Sequence, residues 1–119
     1  MKQLITKLVI LMVSVLGTIN TYAYDFEVNG ICYDVIDPAS LTCGVSGLID
    51  KDITGNVVIP AQISFAGKEL TVTEILESAF EESLIENVCL PSTCVLVGRN
   101  AFWRCSKLSA INIPQGVKK

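Results

Sequence analysis

The chain has 119 residues, with twelve acidic and nine basic side chains, a formal net charge of −3 and no histidine. The missing imidazole removes Ser-His-Asp and Cys-His catalysis. An acidic balance disfavours the phosphate backbone of nucleic acids, and no Gly-rich phosphate loop with its following lysine is present.

Residues 1–23 read as a signal peptide. Lys2 and Lys7 precede the apolar run from Leu8 to Leu16, and Thr21-Tyr22-Ala23 offers small residues for cleavage. The run is shorter than the ~20 residues needed to span a bilayer, so no retained membrane anchor is expected. The exported chain then begins at Tyr24, loses two lysines to stand at −5, and has the size of one domain.

Residues 24–56 read as a β cap. Phe26 and Val28 alternate before Asn29-Gly30, and Ile31, Tyr33 and Val35 alternate after it. Asn-Gly between alternating runs is a hairpin signal, because both central turn residues need positive φ. Asp37-Pro38 makes a turn, and Leu41, Cys43 and Val45 predict a third strand. Asp50-Lys51-Asp52-Ile53-Thr54-Gly55 starts like a calcium loop, but Ala61 stands where such a loop needs a bidentate Glu. An ordinary polar turn is the better reading.

From Asn56 onward the chain repeats itself. Ile75-Leu76-Glu77-Ser78-Ala79-Phe80 returns 22 residues later as Val97-Gly98-Arg99-Asn100-Ala101-Phe102, and Val88-Cys89-Leu90-Pro91 returns 23 residues later as Ile111-Asn112-Ile113-Pro114. Val88/Leu90 and Ile111/Ile113 are expected on one inner face of short strands that the prolines end. Ala-Phe is a second anchor, a small residue for close approach beside an aromatic filler. The extra residue is placed at Cys105, with no counterpart after Glu81-Glu82. A period of roughly 20–29 residues marks solenoids built from one strand and one turn or helical segment per coil.

The run Ala101-Phe102-Trp103-Arg104-Cys105-Ser106-Lys107-Leu108-Ser109-Ala110-Ile111-Asn112-Ile113-Pro114 resembles the BspA-like leucine-rich repeat, and the earlier unit resembles a degenerate copy of it. Upstream, Asn56-Val57-Val58-Ile59-Pro60 looks like the opening coil of such proteins, with an inserted hairpin around Gly67-Lys68. The resemblance implies a mainly β fold with short helical or turn segments. Residues 57–119 would form a solenoid of two to three coils behind the cap. No polar capping segment follows Pro114, so the expectation is a piece of a longer repeat protein or a last coil that packs on a partner.

All five cysteines lie in the exported part, where disulfides are permitted. Cys32 and Cys43, on adjacent predicted strands, are the candidate pair. Cys105 is expected to be a small core residue, and Cys89, alternating away from Val88 and Leu90, an exposed thiol. No zinc site is expected from this spacing, and no cofactor. Glu77, Glu81, Glu82 and Glu86 read as a solvated face rather than an acid/base pair. Trp103 is expected to pack along the outer edge of its coil, although Trp is also enriched at binding hot spots.

All twelve acids fall between Asp25 and Glu86 against only Lys51 and Lys68, a net −10, whereas Val95 to Lys119 carries five cations and no acid. Head-to-tail self-association is one expectation from that asymmetry. The reading as a whole is an exported, non-enzymatic interaction protein, found outside the cell or at its surface, that binds host or bacterial surface proteins in an adhesin-like manner. Candidate contacts are Glu86, Asn87, Cys89, Ala110, Asn112 and Trp103. The alternatives are a structural spacer or cap of a longer surface protein, and a carbohydrate-binding accessory protein or hydrolase inhibitor.

Overall fold

The computed structural model describes residues 24–117, and among them it contains nine strands and no helix. They are β1 (Phe26–Val28), β2 (Ile31–Asp37), β3 (Thr42–Leu48), β4 (Thr54–Val58), β5 (Gln62–Phe65), β6 (Lys68–Ile75), β7 (Leu84–Cys89), β8 (Leu96–Val97) and β9 (Ala110–Asn112). The proposed signal peptide lies outside the described residues. β1 and β2 pair antiparallel about Asn29 and Gly30, whose φ values of 53° and 89° are those of the two-residue turn that the local sequence predicts. β5 and β6 form the inserted hairpin, with its turn at Ala66-Gly67, one residue earlier than expected.

What the local pattern does not show is that β3 pairs parallel with β6 as well as antiparallel with β2. It had been expected only as the last strand of a meander. Val45 aligns with Ile75, and Ile75 with Val97 of β8, so β3, β6 and β8 make one parallel ladder. A second sheet, β4-β7-β9, makes another, with Val57, Val88 and Ile111 in line. Three successive repeats thus each contribute one strand to each ladder: β3 and β4, then β6 and β7, then β8 and β9. The side chains between the ladders form one core, in which Val45, Leu70, Val72, Ile75 and Ile85 have no exposed surface.

The segments between ladders are turns, not the short helices that the family pattern allows. Ala79, Glu81 and Ser83 donate their N–H groups back three residues to Leu76, Ser78 and Phe80, and Ala101, Trp103 and Cys105 do the same to Gly98, Asn100 and Phe102. The alternate N–H groups of Ser78, Phe80 and Glu82 cross to the carbonyls of Arg99, Ala101 and Trp103, at 2.8–3.0 Å. Ser78, Glu82, Asn100 and Arg104 take left-handed φ of 58–62° at matching positions, which turns the chain too sharply for a helix to propagate. Phe80 is buried and stacks on Phe102 with ring centroids 5.4 Å apart.

Two expectations change here. Cys105 does have a counterpart, Ser83, whose Oγ lies 3.6 Å from its Sγ, so the extra residue falls later, at Ser106-Lys107. Ser83 is 2% exposed, whereas Cys105 is half-buried, its thiol donating to the Phe80 carbonyl at 2.9 Å. Ile113, expected on the inner face, is 57% exposed; among the described residues no strand follows β9 to cover it.

Adjacent repeats approach closely at Gly98, where an added Cβ would sit 2.7 Å from the Glu77 backbone nitrogen and 2.8 Å from the Leu76 carbonyl carbon. Backbone cannot swing aside as a side-chain tip can, so Gly98→Ala is expected to lower unfolding stability by about 1–3 kcal/mol. Gly116→Ala, which meets nothing within 4 Å, serves as the control in urea denaturation. Equal midpoints for the two variants would refute the close approach.

Candidate functional site

Parallel pairing in register does something specific to side chains: it lines up equivalent positions across the sheet. Asn56, Asn87 and Ala110 form one row of the β4-β7-β9 sheet, and Val58, Cys89 and Asn112 form another. Between them the row Val57, Val88 and Ile111 points to the core, so the two flanking rows face outward. The result is a shallow three-strand surface with Asn56 and Asn87 on one side and Val58, 66% exposed, on the other.

The polar groups on this face are partly committed. Asn87 Nδ2 donates to Asn56 Oδ1 at 2.6 Å, tying the first two repeats together. Asn112 Oδ1 accepts from the Leu90 N–H at 2.8 Å and so serves the backbone just past the end of β7. That leaves a face of modest polarity built on a regular ladder.

Of the sequence-predicted contacts, Asn87, Cys89, Ala110 and Asn112 are brought together on this face. Glu86 is exposed beside it, opposite a register shift between Gly55 and Asn56, and its carbonyl accepts from the Ser109 N–H. Trp103 is not among the residues lining this face. It lies on the turn after Phe102, 46% exposed, with the Arg104 guanidinium 4.6 Å from its ring centroid. Arg104 in turn makes only a long 3.9 Å contact with Glu82 between exposed side chains.

Asn56 and Val58 belong to the face and were not anticipated there. The signal was present, since Asn56-Val57-Val58-Ile59-Pro60 aligns residue for residue with Asn87-Val88-Cys89-Leu90-Pro91. An intervening 31 residues instead of 22 or 23, caused by the β5-β6 hairpin, obscures it. Asp50, at the start of the calcium-like segment, accepts the Asp52 N–H at 2.8 Å, which is an ordinary polar turn. Among the described residues no group of three or more His, Cys, Asp or Glu side chains converges to hold a metal.

Residues 60–119 match the family model of the BspA type leucine rich repeat region. No curated protein matches the chain. Among solved structures it is similar to a leucine-rich repeat protein from Bacteroides ovatus, with 34% identity and a TM-score of 0.71 over 80% of this chain and 25% of that one. A leucine rich repeat protein of T. pallidum gives 30% identity and a TM-score of 0.63, covering 78% of this chain and 41% of that one. A leucine-rich repeat protein from Bacteroides capillosus gives 26% and 0.66, covering 77% of this chain and 67% of that one. The chain therefore spans a quarter of the length of the first of these proteins and less than half of the second.

The structure does not bring the candidate disulfide pair, Cys32 and Cys43, together. All five cysteines are free thiols. Cys32 lies opposite Gly47 and Cys43 opposite Val35, a three-residue offset along β2. That puts them roughly 10 Å apart along the ladder, beyond disulfide reach. Burial, with the charges of Glu27 and Asp34, pushes the Cys32 thiol up to about 11, and burial alone pushes Cys43 up to about 12.

At pH 8, therefore, a disulfide-exchange reagent is expected to label one thiol rapidly, the exposed Cys89, and Cys89→Ser to remove that fast phase. Cys32 and Cys43 ionise in the unfolded chain near 9.0 but higher in the folded one. Their contribution to stability is whole below pH 9 and lost as pH rises through 11–12. A fast phase that survives Cys89→Ser would show the burial pattern to be wrong.

Proposed function

The chain belongs to the BspA-type leucine-rich repeat family, and on that footing we propose that it is an exported, non-enzymatic module that binds a protein partner at a cell surface. The three repeats wind as a short solenoid, with the β1-β2 hairpin covering its first turn. Export rests on the pattern of residues 1–23, two lysines ahead of a short apolar run and small residues at its end. Binding is assigned to the outer face of β4, β7 and β9, and the observation that carries it is the alignment of Asn56 with Asn87 and of Val58 with Cys89 and Asn112. Stacked repeats present extended surfaces of this kind, on which affinity comes from many modest contacts.

Two further readings stand behind this one. A spacer role within a longer surface protein uses the same stack and needs no binding face. A carbohydrate-binding role needs an exposed aromatic platform, and Trp103, the sole tryptophan, has Arg104 over its ring.

Residues 24–119, immobilised and offered extracellular-matrix proteins, bacterial surface proteins and glycans, are expected to retain a protein ligand. Val58→Glu combined with Ala110→Arg is expected to weaken that binding about tenfold, or roughly 1.4 kcal/mol. Trp103→Ala is expected to leave it unchanged. Binding indifferent to the paired change, or glycan binding lost with Trp103, would overturn the assignment.

A further inference from the structure

The larger sheet curls back on itself, and a buried polar group beside it is left unused by the packing. Its strands run β1-β2-β3-β6-β5, with β8 added to β6, so β1 and β5 are its outermost strands. Phe26 of β1 nevertheless stacks on Phe65 of β5 with ring centroids 4.3 Å apart, and also on Tyr33 of β2 at 5.3 Å. Three rings thus draw the two outer strands together. Where this curled sheet meets β4, a hollow of about 360 Å³ opens, lined by Val28, Ile31, Leu48, Ile53, Val57 and Ile63. That volume falls within the range of small-molecule sites, which are concave and mostly apolar with a few polar groups. Ile63 comes from the β5-β6 hairpin, which the later repeats lack, so the hollow is peculiar to this part of the stack.

Tyr33, with no exposed surface, lines the hollow as well, and its hydroxyl has no hydrogen-bond partner among the described residues. Burial, with the nearby Cys43 and Cys32 thiols, pushes its phenol well above the usual tyrosine range, so it stays protonated and has an O–H to donate. A phenylalanine would make the same ring stack without burying an unpaired oxygen. The segments that line the hollow also carry exposed carboxylates. Glu27 Oε2 accepts from the Gly30 N–H in the β1-β2 turn at 2.6 Å, and Asp50 and Asp52 lie just ahead of Ile53, with Lys51 the one cation among them. An anionic ligand is disfavoured beside them.

We propose that this hollow binds a small uncharged molecule with an apolar body the size of two fused rings and one hydrogen-bond-accepting oxygen, which the Tyr33 hydroxyl meets. The apolar lining takes up the body, and the acceptor gives the buried O–H the partner it lacks. The Phe26 and Phe65 rings hold the Tyr33 ring in place before any ligand arrives, so little ordering is needed on binding. β4 borders both this hollow and the outer face assigned above, but the two take different partners, and failure of one assignment leaves the other standing.

Three probes of one shape read the site: 2-acetylnaphthalene with a ketone oxygen, 2-isopropenylnaphthalene with a methylene in its place, and 2-naphthoate with a carboxylate. In equilibrium dialysis against residues 24–119, the ketone is expected to bind about fivefold tighter than the hydrocarbon, the worth of one hydrogen bond. It is expected to bind about tenfold tighter than naphthoate at low salt. Tyr33→Phe is expected to bring the ketone down to the hydrocarbon's affinity and to leave the hydrocarbon unchanged. Ile53→Trp, which puts a larger side chain into the hollow, is expected to abolish binding of both, with far-UV circular dichroism confirming its fold. Failure of the wild type to bind the ketone, equal affinity for ketone and hydrocarbon or for ketone and naphthoate, a ketone preference that survives Tyr33→Phe, or binding indifferent to Ile53→Trp would each overturn the proposal.

Discussion

A parallel ladder keeps its pairs aligned only if the chain between one strand and the next travels an equivalent path each time, and here two ladders must be satisfied at once. Between the residues aligned in the first ladder and those aligned in the second, the chain advances from Val45 to Val57, from Ile75 to Val88, and from Val97 to Ile111. Those steps lengthen by one residue at each repeat. The first lengthening is absorbed by the register shift at Gly55/Asn56 and the second by the turn at Ser106-Lys107. The one large insertion, the β5-β6 hairpin, does not disturb the path, since β5 borders the first half of β6 and β8 the second.

Packing between repeats follows from that alignment. Buried Ala79 and Ala101 and the bare backbone of Gly98 let successive turns approach closely enough for N–H groups to cross. Phe80 can then stack on Phe102 and fill the space that the small residues leave. The turn of the second repeat sends one N–H inward to its own repeat and the next across to its neighbour, so its backbone is satisfied without a helix. Because these bonds and ring contacts need the adjoining repeat, stability is shared along the stack. Leu90, which the next repeat covers, is 3% exposed, and its equivalent Ile113 is 57% exposed.

The surface is the complement of the same register. Rows of equivalent residues appear on the outside because rows of equivalent residues pack inside, and Asn56 and Asn87 can bond only because Val57 and Val88 are level. Charge is arranged along the stack instead of across it, acidic through the first two repeats and basic in the third.

Much of this was legible from residue patterns. The Asn29-Gly30 hairpin, the two aligned anchors at Ala79-Phe80 and Ala101-Phe102, and the pairing of Val88 with Ile111 are local or periodic signals, so the primary structure alone carries them. Three features are not local. That β3 joins β6 in parallel depends on which edge is free once the hairpins have formed. Ser83 standing where the next repeat has Cys105 depends on where a one-residue difference is absorbed, which only the crossing N–H bonds settle. Cys32 and Cys43 sit on adjacent strands, as expected, yet the register between those strands holds them three positions apart. Period and polarity are properties of neighbours along the chain; register is decided by the whole packed stack, and it is register that determines which residues meet.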